Sequence, residues 1–260
     1  MRLASFRKAF LLLFLLGCKK QEPENLAPTA SALSPAQPAA AKATAVAIDS
    51  GSSRVSFSMA APVEKISGEA PGSVEGELFV DLEDVSRSTG LVRVDLDKLT
   101  LYQERRADEK SSFGEKAKND TQNQHARTWL EISDDVPEEL RRANRYAEFK
   151  ILRLEDASEK NLLQKGAGEQ RITATAVGDF RLHGRKNEKR VPLELVFRAS
   201  ATGLEALTVK TREPLPIGLE EYDVRPREAF GKLAQKTLDA LGSKVAKTAP
   251  LHVEFNAHAK

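Results

Sequence analysis

The chain has 260 residues, 40% of them hydrophobic and 30% charged, which is enough apolar side chain for one globular core. Its 40 basic side chains stand against 38 acidic ones, so the formal net charge of +2 excludes the one-sided positive field on which nucleic-acid binding depends. The single cysteine, Cys18, excludes an internal disulfide and any cysteine-based metal cage.

Arg2, Arg7 and Lys8 precede an apolar run at 9–16 that holds Leu11, Leu12, Leu13, Phe14 and Leu15, and Gly17 is a small residue just before Cys18. This is the pattern of a signal peptide over residues 1–17. The run is about half the roughly 20 residues needed to cross hydrocarbon, and Lys19 and Lys20 close it, so a permanent span is not expected. Leu15-Leu16-Gly17-Cys18 resembles the bacterial lipobox, whose cysteine receives a diacylglycerol and, after cleavage, an amide-linked acyl chain such as palmitate. The resemblance implies a lipoprotein held on a membrane through acylated Cys18. A lysine after that cysteine is similar to the pattern sorted to the outer membrane, which places the protein in the cell envelope, facing the periplasm. Residues 18–45 then carry Pro23, Pro28, Pro35, Pro38 and three consecutive alanines with no aromatic residue. Such a stretch buries too little apolar surface to offset its ordering entropy, so a disordered tether is expected there.

From Val46 to the end, 46–260, the dominant signal is alternation of period two, which makes one dry and one wet sheet face. Val55, Phe57 and Met59 alternate with serines, and Val92, Val94 and Leu96 with charged residues. Further on, Val191, Leu193, Leu195 and Phe197 form one such face, and Leu251, Val253, Phe255 and Ala257 another. The longest run puts Ile172, Ala174, Ala176, Gly178, Phe180 and Leu182 on one side. Its centre is small, so the interior opposite is either crossed by a close backbone or left open for a ligand. More strands are expected at 76–82, 149–154 and 204–210. One helix is expected to open at Pro226 and end near Gly242 or Lys247, another to lie between Thr121 and Arg145, and 103–124 to be a long loop. The fold class is therefore all-β and antiparallel, with about eight strands, the longest of a length common in barrels, and one or two short helices.

No catalytic constellation is present. His125, His183, His252 and His258 are scattered without an HExxH pair, so no metal is expected. The segment 166–171 lacks the spacing of a dinucleotide loop, and Ser73 in Gly72-Ser73-Val74-Glu75-Gly76 is misplaced for a nucleophile elbow. Neither an enzyme activity nor a cofactor beyond the lipid anchor is expected. The basic stretch 181–190 reads as a solvated hairpin tip, with His183 beside Gly184 capping the strand end.

Gly178-Asp179-Phe180-Arg181-Leu182-His183-Gly184, followed by Val191-Pro192-Leu193-Glu194-Leu195, resembles the YceI-like family, whose strand ends in Leu-x-Leu-His-Gly before a second apolar strand. Asp49, Ser53, Val55 and Phe57 resemble that family's opening strand, residues 76–81 its Gly-x-Ile-x-x-Asp strand, and Tyr146, Phe149 and Lys150 its Lys-Tyr-Pro-x-Ile-x-Phe segment. The resemblance implies a lipocalin-like barrel that encloses a polyisoprenoid. On that reading Phe57, Ile172, Ala174, Ala176, Phe180, Leu193, Leu195 and Phe197 are the expected ligand-lining residues, and a long apolar lipid and the membrane are the expected partners. The alternative is a structural or adaptor lipoprotein whose barrel is filled by its own side chains. Nothing in the sequence speaks to oligomeric state.

Overall fold

In the computed structural model, residues 26–201, 203–225 and 247–260 are described. The expected signal peptide, Cys18, the first part of the tether and the helix expected from Pro226 lie outside them. Twelve strands are formed: β1 (Thr44–Ala60), β2 (Glu64–Pro71), β3 (Val74–Val80), β4 (Thr89–Asp95), β5 (Thr100–Arg105), β6 (Ala117–Lys118), β7 (Tyr146–Glu155), β8 (Gly168–Leu182), β9 (Arg185–Ser200), β10 (Gly203–Thr211), β11 (Leu215–Gly218) and β12 (Thr248–Ala259). Among the described residues two helices, α1 (Asp120–Trp129) and α2 (Glu138–Asn144), fall between β6 and β7, where one was expected.

Every pairing is antiparallel, and β12-β10-β9-β8-β7-β4-β3-β1 closes on itself because β1 also pairs with β12. The result is the expected eight-stranded barrel. Closure removes the open edges that an alternating sheet would otherwise present to water and to other chains. Alternation then sends one face of each strand inward. Val46, Ile172, Val191, Leu195, Phe255 and Ala257 meet there in one buried cluster.

The barrel splits at one end, and β1 is the reason. Residues 44–47 pair with β3, whereas 54–60 pair with β2. Between them the register with β12 shifts from Asp49 to Arg54. This break is built from a local hydrogen-bond set, in which Asp49 Oδ1 accepts from the Gly51 N–H and Ser53 Oγ donates to the Ser50 carbonyl. A bulge of this kind bends the strand. It hands β1 from the ring to an outer flap, β2-β5-β6. The charged stretch expected as a loop at 103–124 in fact holds the end of β5, all of β6 and half of α1. Asn119 caps α1 by accepting from the Gln122 N–H.

Two expectations need correction. From residue 26 onward, the stretch expected as a free tether lies against the outside of the barrel. Ala27 N–H donates to the Glu221 carbonyl, Ala30 N–H to that of Gly184, and Lys186 N–H to that of Pro28. Farther along, Thr89 Oγ1 donates to the Gln37 carbonyl, and Lys42 pairs with Glu83. A segment with too little apolar surface for its own core can still add to a core already formed. Leu33 and Ala36 do this by packing on Leu91 and Phe79, which face outward from β4 and β3.

The second correction concerns residues 181–190. The turn is only His183-Gly184, because Leu182 pairs with Arg185. Both turn residues have positive φ, 49° and 67°, as a two-residue turn matching the strand twist requires. The basic residues that follow are the start of β9, where Lys186 pairs with Asp179, Lys189 with Glu221 and Arg190 with Glu155. Residue 181 is not on a tip at all. Its side chain is 3% exposed and lies under the strap formed by residues 26–37.

Candidate functional site

The end of the ring at which β8 turns into β9 is the upper end, and there the split between β2 and β3 leaves room inside. A cavity of about 230 Å³ occupies it. Val55 and Phe57 of β1, Ala70 of β2 and Leu101 of β5 form one wall. Val94, Ala147, Phe149, Phe180 and Leu193, from β4 and β7 to β9, form the facing wall. Trp129 and Leu130, at the end of α1, and Ile217 and Leu219, in and after β11, complete the rim.

Phe57 and Gly68 are register partners. The phenyl ring lies across the glycine, where a Cβ would strike it. Gly68 therefore holds an aromatic side chain flat against β2 and out of the cavity.

Of the described lining residues, Glu148 carries a carboxylate and Thr211 a hydroxyl, and neither offers its oxygens to the cavity. Thr211 Oγ1 accepts from the Val253 N–H. Glu148 reaches the outer wall, where its carboxylate accepts from the Leu33 N–H at 2.8 Å and from Arg93 Nε at 3.0 Å. A cavity needs about 10–15 Å³ on this measure to admit one water, and that water needs two to four polar partners. Space this large with an apolar wall suits hydrocarbon better than water.

A second space of about 30 Å³ lies lower in the barrel, lined by Leu78, Leu195, Phe197 and Leu207 among others. Its floor carries hydroxyls that are already engaged, since Ser88 Oγ accepts from the Asp81 N–H and Thr89 Oγ1 donates to the strap.

The structure distributes the eight expected lining residues over three places. Phe57, Phe180 and Leu193 line the main cavity. Leu193, Leu195 and Phe197 line the lesser one. Ile172, Ala174 and Ala176 line neither and are buried in the core. Ala174 sits beside Leu193, and Ala176 is flanked by Val191 and Leu154, so large cross-strand neighbours occupy the volume the alanines leave. At Gly178 the close-backbone alternative holds. A Cβ there would fall on the carbonyl oxygen of Lys150, where β7 bulges between Ile151 and Arg153.

Ala70, Leu101, Trp129 and Ile217 line the cavity without having been singled out from the sequence. Their elements are short or irregular, so the pattern around each is too brief to mark a sheet or helix face.

The upper rim is polar and largely paired internally, the buried Tyr222 hydroxyl excepted. His183 Nδ1 bonds the Tyr222 carbonyl at 3.1 Å and Nε2 bonds Glu131 at 2.8 Å, while Glu221 accepts from Lys189 and Asn187. Tyr222 packs edge-on against Phe180 with ring centroids 5.3 Å apart. Burial, aided by nearby Glu221, pushes its phenol above the usual tyrosine range. At the end of β4, Asp95 binds Arg145 through two bonds, at 3.1 and 2.7 Å. Burial alone would raise the Asp95 carboxyl, but the guanidinium and the Asp97 N–H outweigh it and hold the group below the usual carboxylate range. Among the described residues, no group of three or more His, Cys, Asp or Glu side chains is placed to hold a metal ion, and no helix is long and apolar enough to cross a membrane.

Fold and site together define a closed antiparallel barrel with an apolar chamber at one end. No protein-family profile matches the chain, and no curated protein matches it. Among solved structures it is similar to a polyisoprenoid-binding domain from Saccharophagus degradans implicated in plant cell wall breakdown, with 17% identity and a TM-score of 0.49, over 84% of this chain and 99% of that one. It is also similar to BcnA of Burkholderia cenocepacia, with 14% identity and a TM-score of 0.47, over 82% of this chain and 99% of the other.

Proposed function

We propose that this protein binds a long apolar lipid, of the polyisoprenoid class, in the upper chamber of its barrel. The observation that carries the reading is the cavity of about 230 Å³ whose polar lining groups are turned away or already bonded. A barrel filled by its own side chains would leave no such space. An isoprenoid tail is uncharged and branched, so apolar walls and an irregular volume suit it. Burying about 300 Å² of ligand hydrocarbon would contribute on the order of 7 kcal/mol, enough for specific binding once ordering costs are subtracted. Among the described residues the cavity wall turns no acid, base or nucleophile into the chamber, which supports carriage rather than catalysis.

The protein acts in the cell envelope, held through acylated Cys18, on the outer membrane and facing the periplasm. The docked strap supports a particular arrangement. Its first described residues lie beside Glu221, at the chamber end of the barrel. Leu26 is eight residues beyond Cys18, so the anchor stands at most about 28 Å from that end. The strap thereby keeps the chamber near the bilayer, from which an apolar ligand would come.

The test is mass spectrometry of organic extracts from gently purified protein, alongside Ala147→Trp, which places an indole in the chamber. A prenyl lipid near one per protein in the wild type, lost in a variant with unchanged circular dichroism, is the expected result. Folded wild type that carries no lipid and takes up no fluorescent prenol would overturn the reading.

A further inference from the structure

Four residues line both cavities, Ile151, Leu193, Val209 and Phe255. They come from β7, β9, β10 and β12. In ring order β12 and β7 are four strands apart in a ring of eight, so Phe255 and Ile151 stand on opposite sides of the interior. Val209 is the direct register partner of Phe255, and Leu193 is that of Ala174 on the small-residue stretch of β8. All four are buried, between 3% and 8% exposed, so the collar is embedded in the packed core. Beyond the lower space Val85 is fully buried, and the Leu82 carbonyl accepts from the Leu162 N–H.

We propose, on the basis of the lipid-binding reading above, that this collar is the floor of the ligand site and sets the length of chain the barrel accepts. The tail enters the upper chamber and ends against the Phe255 ring, and the lower space stays outside the site. Its volume of about 30 Å³ leaves an extended chain little further room. Each isoprene unit that fits above the collar is removed from water, and each further unit is left at the mouth. Affinity therefore rises by roughly tenfold or more per added unit up to a break point, and then levels. Ala174 and Ala176 acquire a role in this arrangement, since they make room on β8 for the collar's Leu193 and for its neighbours to close inward.

The experiment is competition of all-trans prenols of increasing length against a fluorescent prenol. Phe255→Ala opens the floor and moves the break point to longer chains by at least one isoprene unit. Phe255→Leu, milder for the fold, and Val209→Ala move it in the same direction by less. Leu207→Trp fills the lower space, leaves the wild-type break point where it is, and cancels the shift when combined with Phe255→Leu. A break point unmoved in folded Phe255→Leu and Val209→Ala would overturn the proposal, as would a shortened one in Leu207→Trp alone, because the tail would then already pass the collar. Failure of the folded wild type to bind any prenol is a different result and would overturn the lipid-binding reading itself.

Discussion

Replacing Glu148 with alanine tests whether the strap is part of the folded domain. The Glu148 and Arg181 side chains are 2% and 3% exposed and 3.5 Å apart. Burial draws the Arg181 guanidinium below its usual pKa, with Glu148 opposing the shift. Arg181 also donates to the carbonyls of Ala30 and Ala143, while Glu148 receives the Leu33 N–H and Arg93. Removal of one partner from a buried pair costs about 3–5 kcal/mol, because the other charge is left uncompensated. Arg93 is one-third exposed and can turn to water, so the lower half of that range applies. At roughly 2–4 °C per kcal/mol for a chain of this size, Glu148→Ala should lower the Tm by about 10 °C. Hydrogen exchange at the Leu33 amide should accelerate together with that loss, since its acceptor is gone. Glu148→Leu combined with Arg181→Met should recover at least half of the stability, because an apolar pair has no charge to desolvate. A loss under about 1 kcal/mol, or an unchanged Leu33 exchange rate, would refute both the buried pair and the docked strap.

Gly178→Ala should destabilise by about 2–3 kcal/mol in urea unfolding, since its Cβ meets the Lys150 carbonyl and backbone cannot yield cheaply. Gly68→Leu should displace the Phe57 ring toward the chamber and weaken prenol binding by about tenfold or more, with little loss of fold, as read by fluorescence titration and circular dichroism. Acidification should weaken the Asp95–Arg145 tie. Because the folded carboxyl is held below its ordinary pKa, its contribution is complete above about pH 4 and is lost as pH falls through the lower folded value. Asp95→Asn should therefore cost about 1–2 kcal/mol at pH 7, discounted for the exposed side of Arg145, and flatten the acid limb of the stability profile.

The alternating strands were legible from residues alone because each had its own pattern. β8 and β9 pair over Gly168–Leu182 against Arg185–Ala199, much as the runs 172–182 and 191–199 implied. The flap was harder to see. β2 breaks its alternation with Gly68 and Pro71, and β11 is only four residues long, so neither carries enough period to be told from a turn. The strap was invisible for a different reason. Nothing in a proline- and alanine-rich segment states that Leu91 and Phe79 will be waiting on the outer face of another element.

The same distinction governs the site. Which side of each strand is dry is written locally, in the order of apolar and polar side chains, whereas closure of the ring rests on the pairing of β1 with β12 from opposite ends of the domain. Where that dry interior is full and where it is empty is a difference between volumes supplied by strands far apart in the chain. The two alanines of β8 left either a close backbone or an open space to be expected opposite them, and large side chains, Leu193, Val191 and Leu154, meet them instead. The actual space arose where a bulge in β1 sent that strand from β3 to β2, and only the assembled backbone could set that parting.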